Sequence, residues 1–432
     1  MGSSSITKVG LIGIGTVGEG VWKVLTQNKS VIEKRVIGSV EIKKVADRDE
    51  GKLKEAGVPE AQRTNDAYEV INDPEIDIVV ELIGGIEPAK TFISAALKQG
   101  KHVVTANKDL IAAHGGELLE LAEANGKNLY FEASVGGGIP IITPLKESLA
   151  GNNIQNLMGI VNGTTNYILT KMTFEGSAYD DVLSEAQRLG YAESDPTSDV
   201  GGFDSARKIA ILASIAFNTR ITDKDVYVEG IQKITSEDIQ YAKELGYSIK
   251  LLGIAKENAE GVEARVHPVM IPQNHPLASV NDVFNAIFVT GDAVGDTMFY
   301  GRGAGMLPTA SAVVGDIIKI IRDRNPDGSS IIGCTCFENK RIKPMGEVEA
   351  KYFIRLNVAD KPGVLAKIAA VFGEQCVSLA SVIQKRTIEN MAQLVLITHT
   401  VKEQNIQDSL KILSTLPIVD EVANVIRVEG AE

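Results

Sequence analysis

Three groups of residues in this 432-residue chain have types and spacings that could do chemistry. The first is a glycine turn. Val9–Gly18 reads V-G-L-I-G-I-G-T-V-G, so Gly13, Gly15 and Gly18 satisfy G-x-G-x-x-G between a strand pattern and a helical one. Gly13 permits a tight turn, Gly15 lets the backbone approach a pyrophosphate, and Gly18 lets the helix pack on the strand. The helix that begins at Thr16 and Val17 offers free N–H groups and a positive dipole end to phosphate. The turn therefore predicts a dinucleotide site. Asp47 and Arg48 stand side by side after the second strand. An acid suits the ribose of NAD, and an arginine accommodates the 2′-phosphate of NADP. Lys52 and Lys54 add positive charge or belong to a solvated loop, so the balance leans to NADP and leaves NAD open.

The second group joins lysines to carboxylates. Thr105-Ala106-Asn107-Lys108 ends a strand, and ligands of such sheets bind beyond the carboxyl ends of strands. Lys108 is thus placed to face a nicotinamide, although a lysine opening a helix is often simply solvated. Asp204 and Lys208 are four apart and share a helix face. Ile209–Ala216 is apolar on nearly every face, so this helix is buried, and a lysine there must be paired or used. Such lysines shift their proton affinity readily. The loop Gly190–Asp199, G-Y-A-E-S-D-P-T-S-D, carries Glu193, Asp195 and Asp199. It is either an acidic surface or a working loop between two helices. The third group is Glu132–Pro140, E-A-S-V-G-G-G-I-P, where a carboxylate and several exposed carbonyls make a hard-oxygen site for a hard cation. The same glycines would also serve as a hinge.

The elements that position these groups follow a strand–helix alternation. Strands are expected at Lys8–Ile14, Val40–Ala46, Ile76–Ile83, His102–Thr105 and Asn128–Ala133, with helices at Val17–Leu25, Pro88–Lys98 and Leu110–Ala124. This pattern implies an α/β fold with a Rossmann-like, doubly wound parallel sheet. Near-continuous apolar strands fit burial on both faces. A helix is expected at Ile141–Leu149, a strand at Ile154–Val161, a loop at Asn162–Asn166, then helices near Ala178–Leu189 and Ser205–Phe217. Strands at Ile249–Ala255, Val262–Val269, Ala286–Thr290 and Thr297–Tyr300 complete a second α/β domain with a mixed sheet. The helix Thr309–Arg322 returns to the first domain. Asn325–Ser330 is polar and marks a boundary. Beyond the linker the tail reads strand, helix, strand, strand, helix, strand from Tyr352 to Val428, the ferredoxin-like βαββαβ order. The domains expected are 1–135, completed by helix 306–324, for the dinucleotide; 136–305; 325–349 as a linker; and 350–432.

Composition narrows the class. The net charge of −12 argues against nucleic acid as a partner. No apolar run reaches the roughly 18 residues of a membrane span. Cys334, Cys336 and Cys376 form no C-x-x-C pair, so neither a disulfide frame nor a zinc site is expected, and a reducing, cytoplasmic setting fits. The five histidines do not cluster as metal ligands. Met1–Ser5 reads as a frayed or added terminus rather than a signal peptide.

Taken together, the segments resemble the homoserine dehydrogenase family over almost the whole chain. The resemblance rests on G-x-G-T-V-G at Gly13–Gly18, T-A-N-K at Thr105–Lys108, E-A-S-V-G-G-G-I-P at Glu132–Pro140 and N-G-T-T-N-Y-I-L at Asn162–Leu169. It rests further on G-Y-A-E-S-D-P-T-S-D at Gly190–Asp199, F-D-S-A-R-K at Phe203–Lys208 and G-R-G-A-G-x-x-P-T-A at Gly301–Ala310. The tail resembles an ACT domain, with D-K-P-G-V-L at Asp360–Leu365. The chain looks like the monofunctional form, without an aspartate kinase module. The resemblance implies reversible reduction of L-aspartate 4-semialdehyde to L-homoserine with NADPH or NADH, on the route to threonine, methionine and isoleucine. It implies proton transfer by Lys208 assisted by Lys108, and an ammonium site of Glu193 and Asp204 with Asp199 nearby. It implies a monovalent cation, sodium, on Glu132 and the backbone of Val135, Gly137 and Ile139. It places Gly190 and Gly305 at the nicotinamide end of the cofactor, implies L-threonine as effector at the ACT domain through Gly363, and implies a homodimer or homotetramer. The physics agrees: hydride reaches an aldehyde carbon, and an ammonium stabilises and protonates the developing alkoxide.

Ser194 and Ser198 stand where alanine is common in the family. Gly201-Gly202 stand where an acid is frequent, which is expected to loosen the substrate loop. Two rivals are weighed. An amino-acid sensor with a degenerate catalytic domain would have lost Lys108, Lys208, Glu193 and Asp204, and all four are present. A dehydrogenase acting at an amino acid's α-carbon lacks a reason for the G-Y-A-E-S-D-P-T loop.

Overall fold

The computed structural model describes residues 6–33, 39–323, 338–388 and 391–429. Met1–Ser5, the boundary Asn325–Ser330, and Cys334 and Cys336 of the linker lie outside the described residues. The strands are β1 (Ile6–Ile12), β2 (Ser39–Ala46), β3 (Arg63–Thr64), β4 (Ile78–Glu81), β5 (His102–Thr105), β6 (Leu129–Tyr130), β7 (Ile154–Ile160), β8 (Tyr227–Val228) and β9 (Tyr247–Asn258). They continue with β10 (Gly261–Pro272), β11 (Phe284–Gly291), β12 (Gly295–Arg302), β13 (Glu349–Ala359), β14 (Leu379–Ile388), β15 (Met391–Thr398), β16 (Val401–Lys402) and β17 (Val419–Val428). Two compact units emerge. One comprises Met1–Leu157, Arg207–Asp225 and Phe284–Lys340, and the other Met158–Ala206, Val226–Val283 and Arg341–Glu432.

The first unit contains a six-stranded sheet in the order β3-β2-β1-β4-β5-β6, with parallel neighbours throughout. This is the doubly wound order whose ligand crevice opens where β1 and β4 diverge. All four residues of β4 are buried, as a strand covered on both faces requires. Helix Thr16–Gln27 follows β1, helix Ala89–Lys98 follows β4 and helix Lys108–Ala124 follows β5. Helix Met306–Arg322 buries Val313, Ile317 and Ile320 in the same apolar cluster as Val9, Val21 and Val80. Strands β11 and β12 form an antiparallel hairpin.

In the second unit, β9, β10, β17, β13, β15 and β14 lie side by side in a mixed sheet. The tail alone runs β17-β13-β15-β14, and helices Val364–Glu374 and Glu403–Leu413 bury Ile368, Phe372, Ile406 and Leu413 against it. That is the expected βαββαβ fold. Its other face carries Arg355, Gln393 and Asn424, and these meet helix Ser236–Glu244. Arg355 donates to Asp238 at 2.8 Å and to Glu237 at 2.9 Å, Asn424 donates to Asp238 at 2.6 Å, and Tyr241 bonds Gln393. Strand β17 also pairs in parallel with β10, Val269 opposite Arg427. Arg427 is buried between Glu403 at 2.7 Å and Glu229 at 2.8 Å, and Arg265 between Glu429 at 2.6 Å and Glu263 at 3.1 Å.

Two expectations are corrected. Asn162–Asn166 is no loop: Asn162 caps helix Gly163–Glu175, its side chain accepting the Thr165 N–H at 2.9 Å. The polar, β-branched run has poor intrinsic helicity, but Thr164–Thr170 is buried throughout, and tertiary packing overrides propensity. Nor does Gly201-Gly202 loosen its segment. Both are buried, and a Cβ on Gly201 would lie 2.6 Å from the Thr197 carbonyl oxygen, so the backbone is packed where an acid would have no room. Helix Ser236–Glu244 was missing from the sequence reading, although Thr235 and Asp238 form a reciprocal capping box. Among the described residues, no helix is long and apolar enough to cross a membrane.

Burial alone pushes the Glu403 carboxyl up, but the hydrogen bond and charge of Arg427 outweigh it and hold the group below the ordinary carboxylate range. A carboxyl depressed in the folded state stabilises the fold above its unfolded value and loses that contribution as pH falls through the folded value. Arg427→Met strands a buried charge and is expected to destabilise the second unit by about 3–5 kcal/mol near pH 7. The difference in urea midpoint from wild type should narrow below about pH 4, as Glu403 is protonated in both proteins. A pH-independent difference would mean that lost packing, not the ion pair, is responsible.

Candidate active site

The glycine turn is built as its sequence demands. Gly13 has φ +101°, and its N–H donates to the Ala46 carbonyl at 2.8 Å. A Cβ on Gly18 would stand 2.2 Å from the Gly13 carbonyl oxygen, so only glycine allows the helix this close. At Gly15 the same addition meets nothing within 4 Å. Gly15 is the N-cap of helix Thr16–Gln27 and supplies no side-chain cap, leaving the first N–H groups to a ligand. Thr16 is exposed, and Val17 packs against the core behind the turn.

A cleft of about 540 Å³ opens in front of the turn, lined by Gly13, Gly15, Asp47, Arg48, Tyr68 and Ile83 among others. Asp47 does not simply await a ribose. Its Oδ2 accepts the Ile14 N–H at 2.8 Å and its Oδ1 the Asp49 N–H at 2.9 Å. Arg48 and Lys52 are exposed at the same cleft. The free N–H groups, the missing Cβ and this cationic rim fit a dinucleotide.

Thr105 ends β5 fully buried, and its hydroxyl is engaged inside the protein, donating to Glu81 at 2.6 Å and accepting the Asn107 N–H at 3.0 Å. Asn107 caps the next helix by accepting the Leu110 N–H at 3.1 Å. Lys108 is the first residue of that helix and half-buried. Lys208 is half-buried in helix Phe203–Ala216. Arg207 and Asp109, the immediate neighbours of the two lysines, pair at 2.9 Å and so bring the lysine-bearing segments together.

In the second unit one amide gathers two of the acids. Asn162 Nδ2 donates to Asp199 at 2.7 Å and to Asp204 at 2.9 Å. Asp204 is buried and Asp199 half-buried. Glu193 is exposed, and its side chain has no partner among the described residues; Gln187 donates to its backbone carbonyl at 3.1 Å. Thr164 donates to the Tyr191 carbonyl at 2.6 Å and anchors the start of this acidic loop on helix Gly163–Glu175. Gly190 and Gly305 are exposed at positive φ, +76° and +119°.

The expected cation site is only partly what the sequence suggested. Glu132 is buried, and its carboxylate accepts the N–H groups of Ile141, Ile142 and Thr143 at 2.6–2.7 Å, capping the segment that follows. Among the described residues, however, no donor reaches the carbonyls of Val135, Gly137 and Ile139, all buried, whereas the intervening Gly136 carbonyl accepts the Ile139 N–H at 2.9 Å. Three buried, unpartnered carbonyls at alternate positions fit a hard cation. No cluster of three acidic, histidine or cysteine side chains suits a metal among the described residues.

Three residues of this site escaped the sequence reading: Glu81, Asn162, and Asp47 in its structural role. Asn162 carried a signal, an asparagine three residues before Thr165 at a helix start. Glu81 carried a weaker one, a single carboxylate ending a buried apolar strand.

The chain is similar to known proteins over its length. Residues 13–132 match the NAD-binding domain of homoserine dehydrogenase, residues 140–318 match homoserine dehydrogenase and residues 352–417 match the ACT domain. The chain is 46% identical to the homoserine dehydrogenase of Bacillus subtilis, over 98% of each chain. It is 47% identical to that of Corynebacterium glutamicum, over 99% of this chain and 97% of the relative. The crystal structure of a homoserine dehydrogenase from Thiobacillus denitrificans superposes with a TM-score of 0.94 at 43% identity, covering 99% of each chain. The chain belongs to the homoserine dehydrogenase family.

Proposed function

We propose that this protein catalyses the reversible, NAD(P)H-dependent reduction of L-aspartate 4-semialdehyde to L-homoserine, with both lysines and the Asn162-linked acids at the reacting substrate. The observation that carries the proposal is the Arg207–Asp109 pair, which gathers the segments of Lys108 and Lys208. The nicotinamide cofactor supplies the hydride, or takes it back in the reverse direction. In reduction, oxygen of the aldehyde gains negative charge as the hydride arrives. Lys208 stabilises that charge and gives up the proton, with Lys108 assisting. Asp204 and Asp199, held by Asn162, take the substrate ammonium together with Glu193. Gly190 and Gly305 allow close approach at the nicotinamide end.

NADPH is the preferred partner in this reading. Asp47 already accepts two main-chain N–H groups, while Arg48 and Lys52 remain exposed at the cleft to receive a 2′-phosphate. The carbonyls of Val135, Gly137 and Ile139 with the Glu132 carboxylate would hold a monovalent cation, sodium. The tail takes an amino-acid effector, L-threonine, near Gly363, which has φ +89° and open space where a Cβ would be. The domain assignment is residues 1–135 with helix 306–324 for the cofactor, 136–305 for substrate and oligomerisation, 325–349 as linker and 350–432 for regulation. The protein works in the cytoplasm as a homodimer or homotetramer.

Oxidation of L-homoserine with each cofactor, with and without L-threonine, tests the assignment; absence of turnover with both cofactors overturns it. Lys208→Ala is expected to lower kcat by at least about a hundredfold, the scale of a lost general acid–base group. Its NADPH dissociation constant, read by fluorescence titration, should stay within a few-fold of wild type. An equal loss of cofactor binding would assign Lys208 a structural role. Arg48→Ala should raise KM for NADPH about tenfold or more and leave KM for NADH nearly unchanged, since a charge-assisted contact is worth roughly 1.5–3 kcal/mol. Equal changes for both cofactors would remove the 2′-phosphate reading.

A further inference from the structure

Glu81 ends β4 with its side chain fully buried. A buried carboxylate needs partners, and among the described residues those of Glu81 are neutral donors. One oxygen accepts the N–H groups of Ile83 at 2.8 Å and Gly84 at 3.2 Å. The other accepts the Thr105 hydroxyl at 2.6 Å. That hydroxyl in turn accepts the Asn107 N–H at 3.0 Å, so its own proton is directed to Glu81.

The two ends of this carboxylate therefore hold different loops. One is the turn after β4, where Ile83 and Gly84 wall the cofactor cleft. The other is the turn after β5, which delivers Lys108. A second tie runs in parallel, from Asn107 Nδ2 to the Gly85 carbonyl at 2.6 Å. Asn107 also caps the helix that Lys108 opens. From Glu81 the contacts thus pass through Thr105 and Asn107 to the Leu110 N–H in the first turn of the helix that Lys108 opens, every one a hydrogen bond of 3.1 Å or less. A lysine acts at the end of a four-carbon stem, so the placement of its backbone sets where its ammonium can reach.

We propose that Glu81 is a positioning residue for the dehydrogenase reaction, fixing Lys108 relative to the cofactor cleft through the Thr105 hydroxyl. The inference rests on the reading of Lys108 as a participant in the reaction. Glu81→Gln separates the two ends of the device. The amide oxygen can still accept the Ile83 and Gly84 N–H groups, so the cleft wall is kept. The amide nitrogen can only donate, so the Thr105 proton loses its acceptor and the short charge-assisted bond to the Lys108 turn gives way to a weaker neutral one. Thr105→Val breaks the same bond from its other end.

The experiment is a double-mutant cycle on the full-length protein, assayed by L-homoserine oxidation, with NADPH binding measured by fluorescence. Glu81→Gln should lower kcat about ten- to a hundredfold, the scale of a small misplacement of a reacting group. NADPH affinity should stay within about threefold, the change tolerable for an intact cleft wall. Thr105→Val should show the same split, Thr105→Ser should restore most of what Thr105→Val loses, and Glu81→Gln added to Thr105→Val should cost nothing more. In the Lys108→Ala background Glu81→Gln should have no further effect on kcat. The proposal is overturned if Glu81→Gln leaves kcat within twofold of wild type, if kcat and NADPH affinity fall together, or if the effect persists undiminished without Lys108. Should Glu81→Gln fail to fold, the Thr105 pair decides by the same criteria. If Lys108→Ala itself leaves kcat unchanged, the reading of Lys108 fails first, and that outcome is distinct from a Glu81 effect that does not depend on the lysine.

Discussion

The working edge of the six-stranded sheet hangs on carboxylates that accept main-chain N–H groups. The turn after β1 is held by Asp47, which takes the Ile14 N–H. The turns after β4 and β5 share Glu81. The segment after β6 is held by Glu132, which takes three successive N–H groups. Loops at the carboxyl ends of parallel strands must leave their own hydrogen bonds unmade wherever they make room for a ligand. A short carboxylate on a rigid strand end supplies two strong acceptors without a bulky partner, and hydrogen bonds to an ionised group are roughly twice as strong as neutral ones. The consequence is a set of fixed turns around a cleft that remains open.

The second unit meets a different demand with the opposite device. There the tail's β-sheet has a polar face that must be buried against helix Ser236–Glu244 and strand β10. Arg355, Arg427 and Arg265 do this with paired carboxylates rather than with apolar contact. A buried ion pair is a poor source of net stability, but it is highly selective, because a shift in register strands a charge. The parallel pairing of β10 with β17 covers only Val269–Met270 against Arg427–Val428. So short a ladder cannot set its own register, and the flanking arginine pairs do so.

Much of this was legible in the chain. The glycine turn, the alternating strands and helices, and the βαββαβ tail all follow from local rules of period and φ, which is why β5 fell on His102–Thr105 to the residue. The lysines and acids were identifiable because lysine beside a buried helix and three acids in one loop are unusual. What escaped reading was relational. Asn162 looks like a turn residue until Asp199 and Asp204 are seen at its amide, 37 and 42 positions away. Glu81 looks like the end of a strand until Thr105 is found opposite. Gly201-Gly202 suggested slack, but the missing side chains are displaced by backbone packing, and density of that kind has no sequence period.

Asn162 explains how Asp199 and Asp204 come to share one side-chain amide. Two carboxylates on one side-chain amide repel one another, and the amide can return only one N–H to each. In the reaction proposed above, a primary ammonium would bring three donors and a full positive charge to both acids at once. An amino acid would then gain more from this site than a neutral alcohol or aldehyde of the same length. Because Asn162 also caps helix Gly163–Glu175, and Thr164 of that helix holds the Tyr191 carbonyl, the same short stretch fixes the acids and the entrance to the Glu193 loop. The proposed ammonium site is thus built on the second unit's own backbone.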